Sequence, residues 1–526
     1  MMGMNMIMEK VSDWTETKRG LYFILGFSAI IKISALIALS DKAINNDGLL
    51  YISAAQQFAS GHIKEGLAIY QMPLFPLLIT AVHFVVHNWV FAARLVSSAA
   101  LVMALIPLYM LTSELFNRKA AFWACLLFSI APAPNIWAAD IIRGPAFVFF
   151  LAWAAFFAQR SIQSIKPTDF LLTFFFIGIS ILFRIEGLIF IPFYIFFIIG
   201  LAIVKPQERI ALFKNILVWI VILILVFLIF YLVIGPEGAY FNRMDKVVHE
   251  VQKIFNLRYL DNYHQIYQEL KTLEDSSPFT GHGKQNLIAI TRHYMSIIYF
   301  LGLLEGLIKV LFPFFIIPLY CGFKRPFFRN QVFIIAFVTS YLLMVYFYSI
   351  RSDFISKRFL FAPAFLLYPW IGAGMERMFV SLKKSSKPKI IAFVFAFIFL
   401  LVPVGEVVNS CMKNDIVISR AGKWLAKEKK FQNAKIITTD LRIPFYAGRE
   451  LYSSSEKGLL KYDNSRQDYT DMEQFAVAKQ ADLIIIRISK KEKNILPVFK
   501  HFIKIKEFYG KKRIVVIYSS KEFFGN

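Results

Sequence analysis

Apolar residues dominate the chain up to about residue 408, in long runs that short polar stretches interrupt. About 20 apolar residues are enough to cross a bilayer as a helix, so the pattern predicts a polytopic α-helical membrane protein. Some runs are shorter, and the region 170–204 could instead form one broken helix pair or a re-entrant segment. We predict about eleven transmembrane helices, at residues 21–39, 89–112, 120–137, 145–159, 170–183, 187–204, 215–234, 296–319, 331–349, 360–379 and 390–408.

A polar stretch at residues 45–51 follows the first apolar run directly and contains Asp47. From Tyr51 to Phe58, apolar residues recur at i, i+3, i+4 and i+7, which predicts an amphipathic helix that Gly61 is placed to end. An acid held at the interface beside a helix along the membrane suggests chemistry on a lipid-borne substrate. An ordinary loop Asp that caps the next helix explains the same residues equally well.

The composition changes to that of a soluble domain at about residue 409. Apolar runs at 434–439, 481–486 and 513–518 predict buried strands, and helix-compatible stretches between them indicate a small α/β domain. The domain has no Gly-rich phosphate loop, so we assign it no catalysis. The predicted division is a catalytic membrane domain at residues 1–408, which includes polar loops at 40–88 and 235–295, and a soluble domain at residues 409–526.

The composition supports membrane insertion, because 57% of the residues are hydrophobic, against about 45–50% in soluble domains. Much of the formal net charge of +24 lies in short loops, where Lys and Arg mark the cytoplasmic side. We therefore predict a cytoplasmic N-terminus with a retained first span, and we exclude nucleic acid as a partner. The C-terminal domain then faces the other side, with Asp47 and Asp140. The positive loops contain residues 18–19, 118–119, 160–166, 205–214, 324–329 and 383–389.

The cysteines do not indicate a disulfide framework or a zinc site, because Cys125, Cys321 and Cys411 lie far apart and form no CxxC motif. The histidines of the 235–295 loop also lack the spacing of metal ligands. A divalent metal is thus not supported by spacing, and the cofactor is left open.

Two pairs of charged residues lie at or inside the ends of predicted spans, where ionisable groups are costly and mark functional sites. Asp140 and Arg143 are three residues apart, which lets them pair on a helical turn as a catalytic or a purely structural ion pair. Arg184 and Glu186 lie in apolar sequence and must point into the helix bundle or a wet cavity.

Lys357 and Arg358 open the tenth predicted span on the non-cytoplasmic side, against the usual charge bias. An Arg at that place can bind phosphate oxygens with two parallel hydrogen bonds. Acids and bases therefore gather on one membrane face. Such groups can hold a phosphate leaving group while an Asp takes the proton of an acceptor hydroxyl.

Five short elements in the membrane region, taken in order and with their spacing, form a specific pattern. They are Asp47-x-x-x-Tyr51 with Ala55, Met72-Pro73-Leu74, Ala92-Ala93-Arg94-Leu95, Arg184-x-Glu186-Gly187, and Arg358-Phe359-Leu360 with Pro363. Over about residues 15–410 the chain resembles a GT-C glycosyltransferase of the protein O-mannosyltransferase and lipid A aminoarabinose transferase type.

The resemblance implies a sugar donor on polyprenyl phosphate, used at the periplasmic side of a bacterial inner membrane, and inversion at the sugar. Asp47 would match the family's catalytic base, Asp140 a second acidic position, and Arg358 a contact to the donor phosphate. The chain departs from the family at Gly48, where many members carry a second acid.

A second departure lies before the Pro-Leu element, where Gln71 and Met72 stand in place of a frequent Lys or His. Lys64, Arg143 or Arg184 could compensate for that missing charge.

We therefore predict a glycosyltransferase that moves a sugar to a hydroxyl acceptor. A flippase of lipid-linked sugars and a membrane-anchored sensor or scaffold are the alternatives, and the clustering of charges on one face favours the enzyme. The sugar and the class of acceptor stay open. The predicted catalytic residues are Asp47 and Asp140, and the predicted substrate-binding residues are Tyr51, Lys64, Tyr70, Gln71, Arg143, Arg184, Glu186, Lys357 and Arg358.

Overall fold

The chain forms two compact units, each of which combines separate stretches of sequence. The helical unit takes its described residues from 1–33, 97–137 and 143–406, and the mixed unit takes them from 34–96, 138–142 and 407–526. The linear division at residues 408 and 409 stays a prediction beside this grouping. The computed structural model describes residues 18–234, 252, 256, 260–276, 282–324, 329–383, 394, 397–412, 416–451, 459–462 and 469–525.

Helices account for most of the described chain before residue 412, as its apolar runs predict. In chain order they are α1 (Lys18–Ala38), α2 (Asn46–Ala59), α3 (Ile63–Ile69), α4 (Leu74–Val86), α5 (Trp89–Met103), α6 (Leu105–Leu115), α7 (Arg118–Ile130), α8 (Pro132–Ala138), α9 (Gly144–Ser164), α10 (Pro167–Phe183), α11 (Phe190–Val204), α12 (Arg209–Ile234), α13 (Asp261–Ser276), α14 (His282–His293), α15 (Met295–Leu311), α16 (Ile316–Phe323), α17 (Val332–Ser352), α18 (Phe361–Lys383) and α19 (Val402–Met412). Short 3₁₀ turns lie at Ile185–Ile189, Pro206–Glu208, Pro313–Phe315 and Arg329–Gln331, and a π turn lies at Phe397–Leu401.

Within the described ranges, five helical segments are long and apolar enough to cross a membrane, or up to seven if each of two bent pairs is one span. The protein is thus a multi-pass membrane protein, whereas the count of eleven spans stays a prediction. The predicted helix 390–408 lies partly outside the described residues.

Two predicted spans are interrupted. The span at 120–137 divides into α7 and α8, which meet at Ala131 with a bend of 54°. The span at 296–319 breaks after Phe312, where a 3₁₀ turn starts at Pro313. The physical reason is proline at positions 132 and 313, which lacks a backbone donor and clashes with the preceding helical turn.

Glycine permits close helix packing along α18. A Cβ atom on Gly374 would lie 1.7 Å from the Pro318 carbonyl oxygen of α16. A Cβ atom on Gly372 would lie 2.2 Å from the Ala120 carbonyl oxygen of α7. Helices in membranes associate through such small residues, because lipid supplies no hydrophobic drive for their association.

The C-terminal part of the mixed unit is a five-stranded sheet in the order β2-β1-β3-β5-β4. Strand β1 is parallel to β2 and β3, whereas β5 is antiparallel to β3 and β4. The predicted strands are confirmed as β1, β3 and β5, and the sequence prediction missed β2 and β4. The elements are α20 (Val417–Lys427), β1 (Ile436–Thr438), α21 (Arg442–Tyr446), β2 (Leu459–Lys461), α22 (Tyr469–Ala478), β3 (Leu483–Ser489), β4 (Phe502–Tyr509), β5 (Arg513–Ser520) and α23 (Lys521–Gly525), with 3₁₀ turns at Lys429–Phe431 and Lys490–Ile495.

Side chains of β3 alternate between the two faces of this sheet, as the pleat requires. Leu483 and Ile485 join the core that α20 and α21 cover, and Ile484 and Ile486 join the core on the other face. Both faces are therefore buried, which explains why the strand is a continuous apolar run in the sequence.

Candidate active-site clusters

Asp47 lies in the first turn of α2 and is half-buried. Asn45 occupies the N-cap position of this helix, so Asp47 is not its N-cap residue. The predicted helix is present as α2, and Gly61 follows its end with a φ of +80°. Its amphipathic pattern is not observed, because residues 51–55 are all buried and therefore lie on every side of the helix. The helix dipole favours a carboxylate in the first turn.

The start of α2 is held against residues 138–142 of the same unit. The Asn45 side chain donates to the Ile141 carbonyl oxygen (3.1 Å) and accepts from the Ile141 backbone N–H (3.2 Å). Next to this pair, Lys42 Nζ donates to Asp140 Oδ1 at 2.6 Å. The two predicted catalytic carboxylates thus lie on segments that contact each other directly.

Asp140 does not lie on a helical turn with Arg143, as its spacing had suggested. Helix α8 ends at Ala138 and α9 begins at Gly144, and the residues between them are not helical. The i, i+3 argument therefore does not apply, and Lys42 is the ion-pair partner of Asp140.

Gly48 is buried in the same contact. A Cβ atom at this position would lie 2.8 Å from both Asn45 Oδ1 and Ile141 Cβ. The missing second acid of the family pattern thus coincides with a position that has no room for a side chain.

The carbonyl groups that lead into this region bind one arginine. Arg94 is 3% exposed, and its guanidinium donates to the carbonyl oxygens of Leu39 and Ser40 (3.0 Å each) and of Lys42 (2.6 Å). These carbonyls follow the end of α1, where backbone acceptors have no helical partner. Arg94 therefore fixes how the chain leaves the first helix.

Two predicted substrate-binding residues take part in packing. The ring of Tyr51 lies edge-on to Tyr70, at 4.7 Å between centroids, and to Phe75, at 5.1 Å. Tyr51 and Tyr70 are buried, Gln71 is half-buried and Lys64 is exposed on α3. This aromatic group joins α2 to Tyr70 and to the first turn of α4. Substrate contact of the predicted residues stays a prediction.

A second cluster lies in the helical unit, where α10 ends at Phe183. Arg184 has an extended backbone (φ −148°, ψ 127°) before the 3₁₀ turn. Its guanidinium donates to Glu186 Oε1 from Nε (3.2 Å) and Nη2 (2.5 Å), so the predicted pair points into the bundle. The second carboxylate oxygen of Glu186 is buried and makes no hydrogen bond within the described residues.

Other side chains of the helical unit complete this arginine cluster. The Arg184 guanidinium lies 5.2 Å from the ring centre of Phe359 and 5.9 Å from that of Phe147. Arg143 Nη1 donates to the Phe183 carbonyl oxygen at 3.0 Å. Arg358 precedes Phe359 in the turn before α18 and is half-buried. The segments of three predicted phosphate ligands (Arg143, Arg184 and Arg358) are thus close together.

Sequence reasoning missed three polar residues. Arg94 was noted only as part of a motif, and Asn45 only as part of the polar stretch. Lys32 lies in the first apolar run, is 1% exposed and donates to the Ser129 carbonyl oxygen at 3.0 Å. The signal for Arg94 and Lys32 was available, since each is a charge inside an apolar run.

No group of three or more His, Cys, Asp or Glu side chains in the described part of the chain could hold a metal ion.

Comparison with known proteins gives one family model and several solved structures. Residues 71–234 match the family described as dolichyl-phosphate-mannose-protein mannosyltransferase. No curated protein sequence matches the chain significantly.

The solved structures are alike in fold at low identity. ArnT from Cupriavidus metallidurans bound to undecaprenyl phosphate is 12% identical with a TM-score of 0.53, over 95% of this chain and 98% of that one. The Archaeoglobus fulgidus oligosaccharyltransferase tethered to an acceptor peptide is 12% identical with a TM-score of 0.57, over 91% and 70%. AglB from Archaeoglobus fulgidus, in complex with an inhibitory peptide and a dolichol-phosphate, is 11% identical with a TM-score of 0.51, over 89% and 69%.

The family model and the shared fold confirm the resemblance predicted from the sequence. The chain therefore shares the fold of these membrane proteins, and residues 71–234 match the mannosyltransferase family model.

Proposed function

We propose that the protein transfers a sugar from a polyprenyl-phosphate donor to a hydroxyl acceptor at the periplasmic face of a bacterial inner membrane. Asp47 accepts the proton of the acceptor hydroxyl, whose oxygen attacks the anomeric carbon with inversion. The bond from that carbon to the phosphate oxygen breaks, and polyprenyl phosphate leaves. Asp140 is the second catalytic carboxylate in this proposal.

The main support for this proposal is the position of Asp47 in the first turn of α2. Its helical turn is fixed by the hydrogen bonds of Asn45 to Ile141 and by the tight packing of Gly48. A catalytic base must be held within a fraction of an ångström of its working position, and such a base contributes about 10²- to 10⁴-fold to the rate.

In this proposal the arginine cluster binds the donor phosphate. Arg184 has a planar guanidinium, which suits phosphate oxygens, and the aromatic rings beside it support its position. Arg143, Lys357 and Arg358 supply further positive charge. The second carboxylate oxygen of Glu186 accepts a hydrogen bond from a hydroxyl group of the donor, because a buried acceptor normally has a hydrogen-bond partner. The proposal retains four further substrate-binding residues, which are Tyr51, Lys64, Tyr70 and Gln71.

Replacement of the proposed base tests this function. Cells that lack the gene are complemented with the wild-type chain, Asp47→Asn or Glu65→Gln, and lipid-linked sugars and envelope glycans are compared by mass spectrometry. Glu65 is an exposed acid of the same loop region and serves as the matched control. We expect the Asp47 variant to accumulate polyprenyl-phosphate sugar and to lose at least 99% of one glycan product. The control should restore the wild-type profile.

Other outcomes contradict the proposal. Normal product from a properly inserted Asp47→Asn protein would mean that Asp47 is not the base. A donor retained on the cytoplasmic leaflet in cells without the gene would indicate a flippase. An unchanged glycan profile would favour the sensor or scaffold.

A further inference from the structure

The chain between α1 and α2 binds the C-terminal part of its own unit at four consecutive residues, 41 to 44, which we call the approach segment. Ser419 Oγ donates to the Asp41 carbonyl oxygen at 2.7 Å, and Lys423 Nζ pairs with the Asp41 carboxylate at 2.7 Å. The Ala43 side chain packs on the apolar core that α20 and the sheet share. These contacts join residues that are more than 370 positions apart in the chain.

Helix α21 binds both polar backbone groups of Ile44, its N–H and its carbonyl oxygen. The Ile44 N–H donates to the Tyr446 hydroxyl at 3.0 Å, and the Ile44 carbonyl oxygen accepts from Arg442 Nη1 at 3.2 Å. The Tyr446 hydroxyl also donates to the Lys42 carbonyl oxygen at 3.4 Å. Burial raises the pKa of Tyr446, so the hydroxyl keeps its proton at neutral pH and can serve both bonds.

Arg442 is itself held in place. Its Nε and Nη2 donate to the two carboxylate oxygens of Asp440 at 2.8 and 2.6 Å, and Arg487 pairs with the same carboxylate at 3.1 Å. Burial raises the pKa of Asp440, but its hydrogen bond to Arg442 and the two positive charges outweigh that effect and hold the pKa below its usual value. The carboxylate is therefore ionised at neutral pH, and it orients the guanidinium toward Ile44.

The orientation of the peptide group between Ile44 and Asn45 determines where α2 begins. Asn45 follows directly, and its carbonyl oxygen accepts the first helical bond, from the Leu49 N–H at 3.2 Å. Asp47 lies within that turn. A rotation of the Ile44 peptide would therefore move the carboxylate, although no C-terminal side chain need touch the substrate.

We propose that Tyr446 and Arg442 are positioning residues for Asp47, so that the C-terminal α/β part fixes the catalytic turn. This inference rests on the proposed function for its effect on catalysis, whereas its effect on the approach segment can be measured without substrate. The C-terminal part then serves as a structural support of the first loop.

Tyr446→Phe tests the proposal, because it removes one hydroxyl and keeps the ring. Tyr518→Phe is the matched control: the Tyr518 hydroxyl donates to the Pro497 carbonyl oxygen at 3.1 Å, inside the same α/β part. Amide hydrogen exchange of the full-length protein in detergent is the first measurement. We expect exchange at residues 44–49 to become about fivefold faster in Tyr446→Phe, with β3 and β5 unchanged, as the loss of one net hydrogen bond implies. The control should leave residues 44–49 as in the wild type.

Transfer is the second measurement, made on membranes with the donor that accumulates in the Asp47→Asn cells. For Tyr446→Phe we expect kcat to fall about tenfold and the KM for the donor to stay within about twofold, because a misplaced base impairs chemistry rather than binding. Ser419→Ala should change both measurements in the same direction. Equal loss of kcat in Tyr518→Phe would indicate a general stability effect and overturn the proposal.

The two proposals fail in different ways. If exchange at residues 44–49 does not respond to Tyr446→Phe, the positioning role is wrong, whatever Asp47 does. If exchange responds but Asp47→Asn still transfers sugar, the positioning of the loop stands and the assignment of the base is wrong.

Discussion

Gly48 lies buried between Asn45 and Ile141 at the start of α2. Replacement by Ala places a methyl group where the nearest atoms would be 2.8 Å away, and such overpacking costs about 1–3 kcal/mol. We expect Gly48→Ala to lower the thermal-denaturation midpoint in detergent and to reduce transfer, because the Asn45–Ile141 contact must shift.

Gly26→Ala is the control for this change. A Cβ atom at Gly26 meets no atom within 4 Å, and Ala is favoured over Gly inside a helix by about 1 kcal/mol. The Gly26 variant should therefore be at least as stable as the wild type. A Gly48→Ala protein with unchanged melting and unchanged transfer would show that the loop adapts and that the tight packing has no role.

The sequence predicts single residues where their chemistry alone distinguishes them. Asp47, Arg184 and Glu186 are predicted as site residues because a charge beside or within an apolar run is costly, and their roles stay predictions. The partner of Asp140 was not identified, because the chain between α8 and α9 leaves the helical geometry on which the i, i+3 argument depends. Local spacing predicts contacts only while the local conformation is regular.

The break between α10 and α11 is the element that presents the Arg184–Glu186 pair. Removal of one member of a buried ion pair costs about 3–5 kcal/mol, because the other charge stays buried without a partner. We expect Arg184→Leu to destabilise the protein strongly and Arg184→Leu with Glu186→Leu to recover most of that loss. Transfer should stay absent in both, because neither variant has the proposed phosphate ligand.

The surface pair of Lys205 and Glu208, in the polar loop before α12, provides the comparison. Surface pairs contribute about 0–1 kcal/mol, so Glu208→Gln should leave melting and transfer nearly unchanged. Melting curves and transfer assays on the same membranes separate the two effects. If the Arg184/Glu186 double variant still transfers sugar, this pair does not belong to the substrate site.

At the level of elements, the apolar pattern predicted helices well and their interruptions poorly. The apolar runs at 120–137 and 296–319 each predict a continuous helix, whereas Pro132 and Pro313 interrupt them. Strands β1, β3 and β5 were identified because they are buried on both faces. Strand β4 was missed, because its burial alternates and its sequence Phe-Ile-Lys-Ile-Lys-Glu contains charges at the exposed positions.

For the whole molecule, no feature of the sequence indicates that the first loop and the C-terminal α/β part belong to one unit. The bond between Ile44 and Tyr446 joins residues 402 positions apart, and no local pattern encodes a contact of that range. The alternation of charged loops, in contrast, is a property of the whole chain that can be read directly, because each loop contributes independently to the orientation in the membrane.

The alternation of positively charged loops predicts the orientation of the chain in the membrane. In a protein with Cys125, Cys321 and Cys411 replaced, single cysteines are introduced at exposed Glu65, Lys429 or Gln207. A membrane-impermeant thiol reagent added to intact spheroplasts should label positions 65 and 429 and should label position 207 only after lysis, because the positive loop at 205–214 is retained in the cytoplasm. Labelling of position 207 before lysis would reverse the orientation and place Asp47 in the cytoplasm. The polyprenyl-phosphate donor would then be used on the opposite leaflet, and the proposed periplasmic reaction would be wrong even if Asp47 is the base.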